Sequence, residues 1–370
     1  MEDLHIEHFN CPNCGGMMQY NIEKEKFICT ACGSESTIDE GISSQIKEHD
    51  FSQYRAREQA AIPFEGMKSV ICQNCGAEVV FDEKDTAALC PMCGSSHVAA
   101  DKQKSGIPPE GIIPFKIDVY DAGQLFHKWV KSLWFAPNAL KNKYQEGDLS
   151  GVYIPFWTFD TDAVGRYQGK GGRIRHVRQR DGKVTTTIDW YPVSGMVAMS
   201  FDDIQICASR REGASMIQKV EPYNTIHQLK PYLPAYLSGY KAEHYTVRAD
   251  EGFEQAKQEV RQELTRKAEQ QILSRGFNQA QVSSLQMTCS NVTYKHVLLP
   301  VYTSFFGYGS KQYNYVINGE TGKISGERPY SPIKITLAVL AVIAVIALLM
   351  FYSDGGSSSY GLIESLLAII

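Results

Sequence analysis

"GVYIPFWTFD", Gly151 to Asp160, is the stretch that sets the fold class. Its β-branched and aromatic side chains read as a buried aromatic strand. Pro155 interrupts the run and places a bulge or a sheet edge there, because proline has no N–H to give a ladder. The rings from Tyr153 to Trp157 permit an aromatic ligand pocket, but packing into a core is the simpler reading.

Outward from that strand the pattern becomes mixed. On the amino-terminal side, "DAGQLFHKWVKSLWF" predicts a helix, with Leu125, Trp129 and Leu133 striped beside Phe126, Val130 and Trp134, ended by "APN". On the other side, residues 166–183 hold seven Lys/Arg and one Asp. Its "RDGK" turn, followed by "VTTTIDWY", predicts a hairpin with Arg173, Arg175, Arg178 and Arg180 along the first arm. That charge suits solvent, anionic lipid headgroups or an acidic partner. It suits nucleic acid less, because no aromatic residues interleave with the arginines.

A long surface helix follows, with Asp250 as N-cap, Gly276 beyond its end, and one apolar stripe of Phe253, Ala256, Val260, Leu264, Ala268 and Ile272. "KHVLLPVYTSFF" and "KQYNYVINGETGKISGE" close the domain with two or three strands hinged on "NGETG". Residues 106–330 are therefore expected to form an α+β cytoplasmic domain.

Of ten cysteines, eight fall in CxxCG pairs. Cys11 and Cys14 precede Cys29 and Cys32; Cys72 and Cys75 precede Cys90 and Cys93, each cysteine 61 residues after its counterpart. This is an internal duplication. Two residues between thiolates let one tight turn offer both sulfurs to one ion, and the glycine that follows permits the turn's backbone. Two structural Zn2+ ions, each closed by four thiolates, are the expectation, in ribbons at 1–40 and 67–105 with a partly helical linker at 41–66. Lone Cys207 and Cys289 read as small buried side chains.

Residues 1–100 carry 16 acidic and 7 basic side chains, a balance of −9 within a chain of net −4. Each zinc with four thiolates adds a further formal −2. Such a surface repels phosphate, so the ribbons are expected to contact protein more than nucleic acid.

"NGETGK" lacks the spacing of a phosphate loop, since Gly319 and Gly322 are too close and Ile324 follows Lys323. The histidines show no HExxH, and Asp202 and Asp203, as neighbours in a strand, are expected to face opposite ways or cap a turn. No enzyme is expected.

"ITLAVLAVIAVIALLMFY", Ile335 to Tyr352, is long and uniform enough to cross a bilayer. A transmembrane helix is expected at 333–352 and a short non-cytoplasmic tail at 353–370. Lys323, Arg328 and Lys334 precede the span and no Lys or Arg follows it, which puts the amino-terminal bulk in the cytoplasm. The amino terminus has neither the basic nor the apolar region of a secretory signal.

The double CxxCG ribbon, "WFAPNALK" (134–141), "GVYIPFWTFD", "HVLLPVYTSFF" (296–306), "VINGETGKISGE" (316–327) and the terminal apolar segment together resemble a group of bacterial membrane-anchored zinc-ribbon proteins. These are known as TFIIB-type zinc-ribbon or primosomal protein N′ (replication factor Y)-like proteins. The helicase name travels with the ribbons, because this chain lacks motor motifs. The resemblance implies partners such as SPFH (flotillin-like) or phage-shock protein A-like proteins and a role in recruiting them to a stressed membrane. It implies no catalytic residues. The functional expectation is a membrane adaptor, with a membrane-tethered nucleic-acid binder as the alternative.

Overall fold

The computed structural model describes residues 11–36 except 17, 25 and 30; 46–60; the backbone of Met67–Ile71, Glu78–Asp82, Ala87–Leu89 and Ser96–Val98; and 106–353 except 144, 148, 179–183, 211, 212, 233, 238 and 239. The 353–370 tail, apart from its first residue, lies outside the described residues.

Three very long strands form the body: Ser150–Arg178 of 29 residues, Val184–Cys207 of 24 and Gln279–Tyr308 of 30. The first lies in the middle, antiparallel to both others over nearly its whole length. The predicted hairpin is present, paired out to Arg178 opposite Val184; its connecting turn lies outside the described residues.

These strands pass through two environments. From Val152 to Phe159 every residue of the middle strand is buried, matching the continuous apolar run that opened the sequence. From Ala163 to Lys170 burial alternates strictly, the pattern of a sheet covered on one face. The first part is the base of the molecule. The second is a blade that reaches about 55 Å beyond it, at about 3.3 Å per residue.

A double bulge marks the boundary. Asp202 and Asp203 together oppose Asp160, and Asn291 and Val292 together oppose Thr161, so each outer strand carries one extra residue at the same level. The two extra turns need a left-handed residue, and Asp203 (φ 53) and Asn291 (φ 52) supply it. The "TFDTD" carboxylates hold both in place. Asp203 N donates to Asp160 Oδ1 at 2.7 Å, Asn291 Nδ2 to Asp162 Oδ2 at 2.9 Å and Ser200 Oγ to Asp162 Oδ1 at 2.6 Å.

Pro155 therefore marks neither bulge nor edge. A residue's N–H and C=O point the same way in a strand, and Pro155 O accepts from Ala208 N at 2.9 Å, just past the end of Val184–Cys207. Its missing donor falls at the seam where that neighbour stops and Lys241–Glu243 takes over beside Val152 and Tyr153.

The long helix runs Ala249–Ser274. Arg248 is its N-cap, two residues earlier than the sequence suggested, and Asp250 sits inside the first turn. The six predicted stripe residues are all buried. They cover one face of all three strands, from Trp157 at the base to Tyr167 on the blade, whose hydroxyl donates to Gln271 Oε1 at 2.8 Å. The bulky members each contribute about 1.5–3 kcal/mol of burial. Small residues admit close packing: a Cβ at Gly171 would lie 2.4 Å from the Phe277 ring.

Basic side chains on the same helix reach round both edges of the blade. Arg261 donates to Leu285 O at 2.9 Å on one side; Lys267 donates to Ala198 O at 2.9 Å and Arg275 to Ser194 O at 3.0 Å on the other. Those carbonyls face away from the sheet and would otherwise invite another strand.

Around the base, a helix at Val119–Ser132 stacks Phe126 on Tyr315, ring centroids 4.1 Å apart. Phe126 and Val130 are buried as expected, but Trp134 lies past the helix end and is 76% exposed. Residues 46–60 are integral to the base, not a tether. Tyr54 is buried, with Phe51 beside it, and Arg57 pairs with Glu110 at 2.9 Å. The helical part of that segment is Tyr54–Gln59. Strand Glu78–Asp82 pairs with Lys241–Glu243 and so extends the sheet.

Among the described residues one helix is long and apolar enough to cross a membrane: Pro332–Ser353, about 33 Å at about 1.5 Å per residue. Its window Pro332–Leu349 has mean hydropathy 2.6 and none of its residues is buried. It fits a single-pass anchor.

Candidate metal centre

Cys11, Cys14, Cys29 and Cys32 come together, with all four sulfurs within 4.8 Å of one another. Two turns present them, and the turns are built alike. In the first, Cys11 N donates to Gly16 O at 2.7 Å and Gly15 N to Cys11 O at 2.8 Å; in the second, Cys29 N donates to Ser34 O at 2.9 Å and Gly33 N to Cys29 O at 3.0 Å. Gly15 (φ 71) and Gly33 (φ 72) hold the same left-handed position, which explains the glycine after each pair. A hairpin of Met18–Asn21 and Lys26–Cys29 brings one turn against the other.

The closest sulfurs are Cys14 and Cys29 at 3.5 Å and Cys11 and Cys32 at 3.6 Å. Ligands about 2.3 Å from a tetrahedral ion lie about 3.8 Å apart, so the cluster has the size of one such site. Its electrostatics ask for a cation. The Ser34 hydroxyl, 3.0 Å from Cys32 Sγ, and the Ser34 amide hold that thiol down to about 6. Cys14 goes the other way, to about 12: the Gly16 amide lowers it, and the neighbouring sulfurs of Cys32 and Cys29 raise it by more. Four thiolates at this spacing repel one another until a positive ion sits between them. The donor set fits a thiophilic metal. Cys72, Cys75, Cys90 and Cys93 lie outside the described residues.

The apolar side of this module is spent within the chain. Tyr20 and Phe27 meet Tyr236 of the base with ring centroids 5.2 and 5.5 Å apart, and Met18 and Phe27 are fully buried.

A second cluster gathers Asp160, Asp202 and Asp203, whose carboxylates approach within 4.8 Å. The bulge overrides strand alternation, so the two adjacent aspartates do not face opposite ways. An ammonium already occupies the place a cation would take: Lys295 Nζ pairs with Asp203 Oδ1 at 2.8 Å and Glu48 Oε1 at 3.0 Å. Burial, with Glu48 beside it, pushes Asp160 up to about 6 although the Asp203 amide favours its charge. This is a structural knot that ties residues 46–50 to the bulge.

The other residues singled out by sequence separate. Tyr153, Phe156 and Trp157 are packed shut, Trp157 donating Nε1–H to Val247 O at 2.8 Å. Cys207 is buried and Cys289 half-buried, as small core side chains would be. His296 is buried and donates from Nδ1 to Ile107 O at 2.8 Å, and burial pushes it down to about 3. Of the hairpin arginines, Arg173 lies over Phe277 and Tyr191 at 5.3 and 5.7 Å, and Arg175 pairs with Asp189 at 3.1 Å. Arg178 is exposed at the blade's end and Arg180 lies outside the described residues.

No protein-family model matches the chain, and no solved structure matches it. It is similar to YdjG, an uncharacterised protein of Bacillus subtilis (strain 168), at 27% identity over 330 residues, covering 89% of this chain and 92% of that protein.

Proposed function

We propose that the chain is a membrane-anchored zinc-ribbon adaptor that gathers protein partners at the cytoplasmic face of a membrane. The closed cluster of Cys11, Cys14, Cys29 and Cys32 carries this reading. Four thiolates favour zinc over harder ions, and four protein ligands leave no open position for water or substrate, so the ion is structural. The same motif at Cys72, Cys75, Cys90 and Cys93 takes a second zinc. Lys323, Arg328 and Lys334 ahead of the terminal helix, with no Lys or Arg in 354–370, keep the bulk on the cytoplasmic side, where thiols stay reduced.

An acidic front of −9 supports protein contact over phosphate contact. The first module rests its rings on Tyr236, so partner contact falls to the second module. SPFH-type or phage-shock protein A-like partners are what the resemblance implies.

Full-length protein in nanodiscs, compared with a Cys72→Ser/Cys75→Ser variant, tests the reading. Bound zinc is expected to fall by about half, and affinity capture from solubilised membranes is expected to lose its protein partners while the base keeps its thermal transition. Tight binding of DNA or RNA at physiological salt, lost in the variant, would replace the adaptor with a nucleic-acid binder.

A further inference from the structure

Where the terminal helix leaves the base, the segment Leu133–Lys141 is bound to it tightly. Ser331 N donates to Phe135 O at 2.8 Å, and Lys334 Nζ donates to both Trp134 O at 2.9 Å and Ala136 O at 2.8 Å. Leu133, Ala136 and Leu140 are buried and pin the segment to the core. Fixed in this way, it displays Trp134, 76% exposed, and Phe135, 43% exposed, beside the first turns of the helix. An indole held rigidly in the open is unfavourable in water and favourable at a bilayer interface.

Between segment and helix lies an open cleft of about 480 Å³, lined by Trp134, Lys141, Lys334, Leu337 and Ala338. Its lining is graded. Lys141 and Lys334 line it together with Trp134, and one turn further along the helix come Leu337 and Ala338, where the uninterrupted apolar run proceeds. Among the described residues no carboxylate pairs with either lysine. Lys334 meets only neutral carbonyls, which orient its charge without cancelling it. Arg328, lying 5.5 Å over the Tyr330 ring just before the helix, adds a third cation next to an aromatic side chain.

We propose that this cleft binds the headgroup of an anionic phospholipid. Lys141 and Lys334 hold its phosphate, Trp134 lies at the level of the glycerol, and an acyl chain follows Leu337 and Ala338 into the hydrocarbon. Two positive charges that no carboxylate among the described residues pairs with select a headgroup with net negative charge over a zwitterionic one, whose own cation they repel. The inference rests on the terminal helix being a membrane span, and does not depend on what the cysteine modules bind.

The test uses full-length protein in vesicles of phosphatidylcholine with a minor fraction of phosphatidylglycerol, either lipid being brominated on its acyl chain to quench tryptophan. Trp134→Phe identifies the share of quenching that belongs to Trp134 among the chain's four tryptophans. Brominated phosphatidylglycerol is expected to quench Trp134 well beyond its share of the bilayer. Lys141→Gln leaves the carbonyl contacts of Lys334 intact and is expected to weaken that preference about 5-fold; Lys141→Gln/Lys334→Gln is expected to weaken it roughly 25-fold.

Equal quenching by the two lipids, or no quenching of Trp134 by either, overturns the proposal. So does loss of the preference on adding millimolar glycerol phosphate, which would make the site one for free phosphoesters. Extraction of the protein by alkaline carbonate would mean instead that the span itself is misread, a separate outcome seen before any lipid is compared.

Discussion

Val152–Phe159 and Ala163–Lys170 are neighbouring stretches of one strand, paired from Phe156 onward with the same two partners, yet they are stabilised in different ways. The base buries both faces under short strands, helices and the first cysteine module, and its rings contact one another throughout. The blade buries one face under one helix and leaves Arg166, Gln168 and Lys170 in solvent on the other. Backbone pairing is continuous across the boundary, so pairing cannot be what distinguishes the two. Side-chain cover is, and the double bulge at Asp160–Asp162 is where one regime gives way to the other.

Trp157→Ala attacks the comparison hardest. It removes a fully buried indole and its bond to Val247 O, and is expected to destabilise the chain by about 3–5 kcal/mol in denaturant unfolding, with hydrogen-exchange protection falling in base and blade alike. A loss below about 1 kcal/mol would deny the base its role as the core. Leu264→Ala, which cuts the helix from the blade near Gly165, is expected to cost about 2–4 kcal/mol and to expose amides of 163–172 while those of 152–159 stay protected. Uniform loss of protection in this variant would erase the distinction between the regions.

The boundary has its own signature in pH. Asp160 sits near 6 in the folded chain against an ordinary 3.8, so its contribution to stability is full below about pH 4 and is lost as pH rises through about 6. Asp160→Asn, neutral at every pH, is expected to flatten the stability curve over that window; an unchanged slope would assign the titration elsewhere. The smallest effect belongs to the blade's edges. Arg261→Gln/Lys267→Gln frees two outward carbonyls and is expected to cost about 1 kcal/mol or less, while sedimentation shows new concentration-dependent association. A variant that stays at the wild-type size would leave the edges without need of their caps.

The base was the legible half. "GVYIPFWTFD" announced its burial by composition alone, and the stripe from Phe253 to Ile272 named six of the eight residues that the long helix buries, missing only Ala249 and Gly252 in its first turn. The cysteine spacing likewise named the four residues that cluster. The blade was harder to see because its signal is alternation among small or polar residues. Ala280 and Val282 face the helix, then Leu285, Met287 and Cys289, with the phase slipping at Ser283, which no residue of the middle strand opposes. A period-two search that permits one slip would have found it.

Trp134 misled for a local reason. It continues the helical period of Phe126 and Val130, but the helix stops at Ser132 and Leu133 turns extended, so periodicity no longer governs where the next side chain points. Asp202 and Asp203 misled in the same way, through a left-handed residue that alternation does not foresee.

Strand residues advance about 3.3 Å and helix residues about 1.5 Å, so two residues in each long strand match about four in Ala249–Ser274. The blade can therefore change length only in quanta. Removing a pair from each of the three strands, together with about one turn of helix, would keep every face where it is, whereas a single deletion in any one strand would turn the remainder inside out. Homologues of different reach should differ by such matched sets, and a designer wishing to shorten or extend the molecule has the same step size to work with.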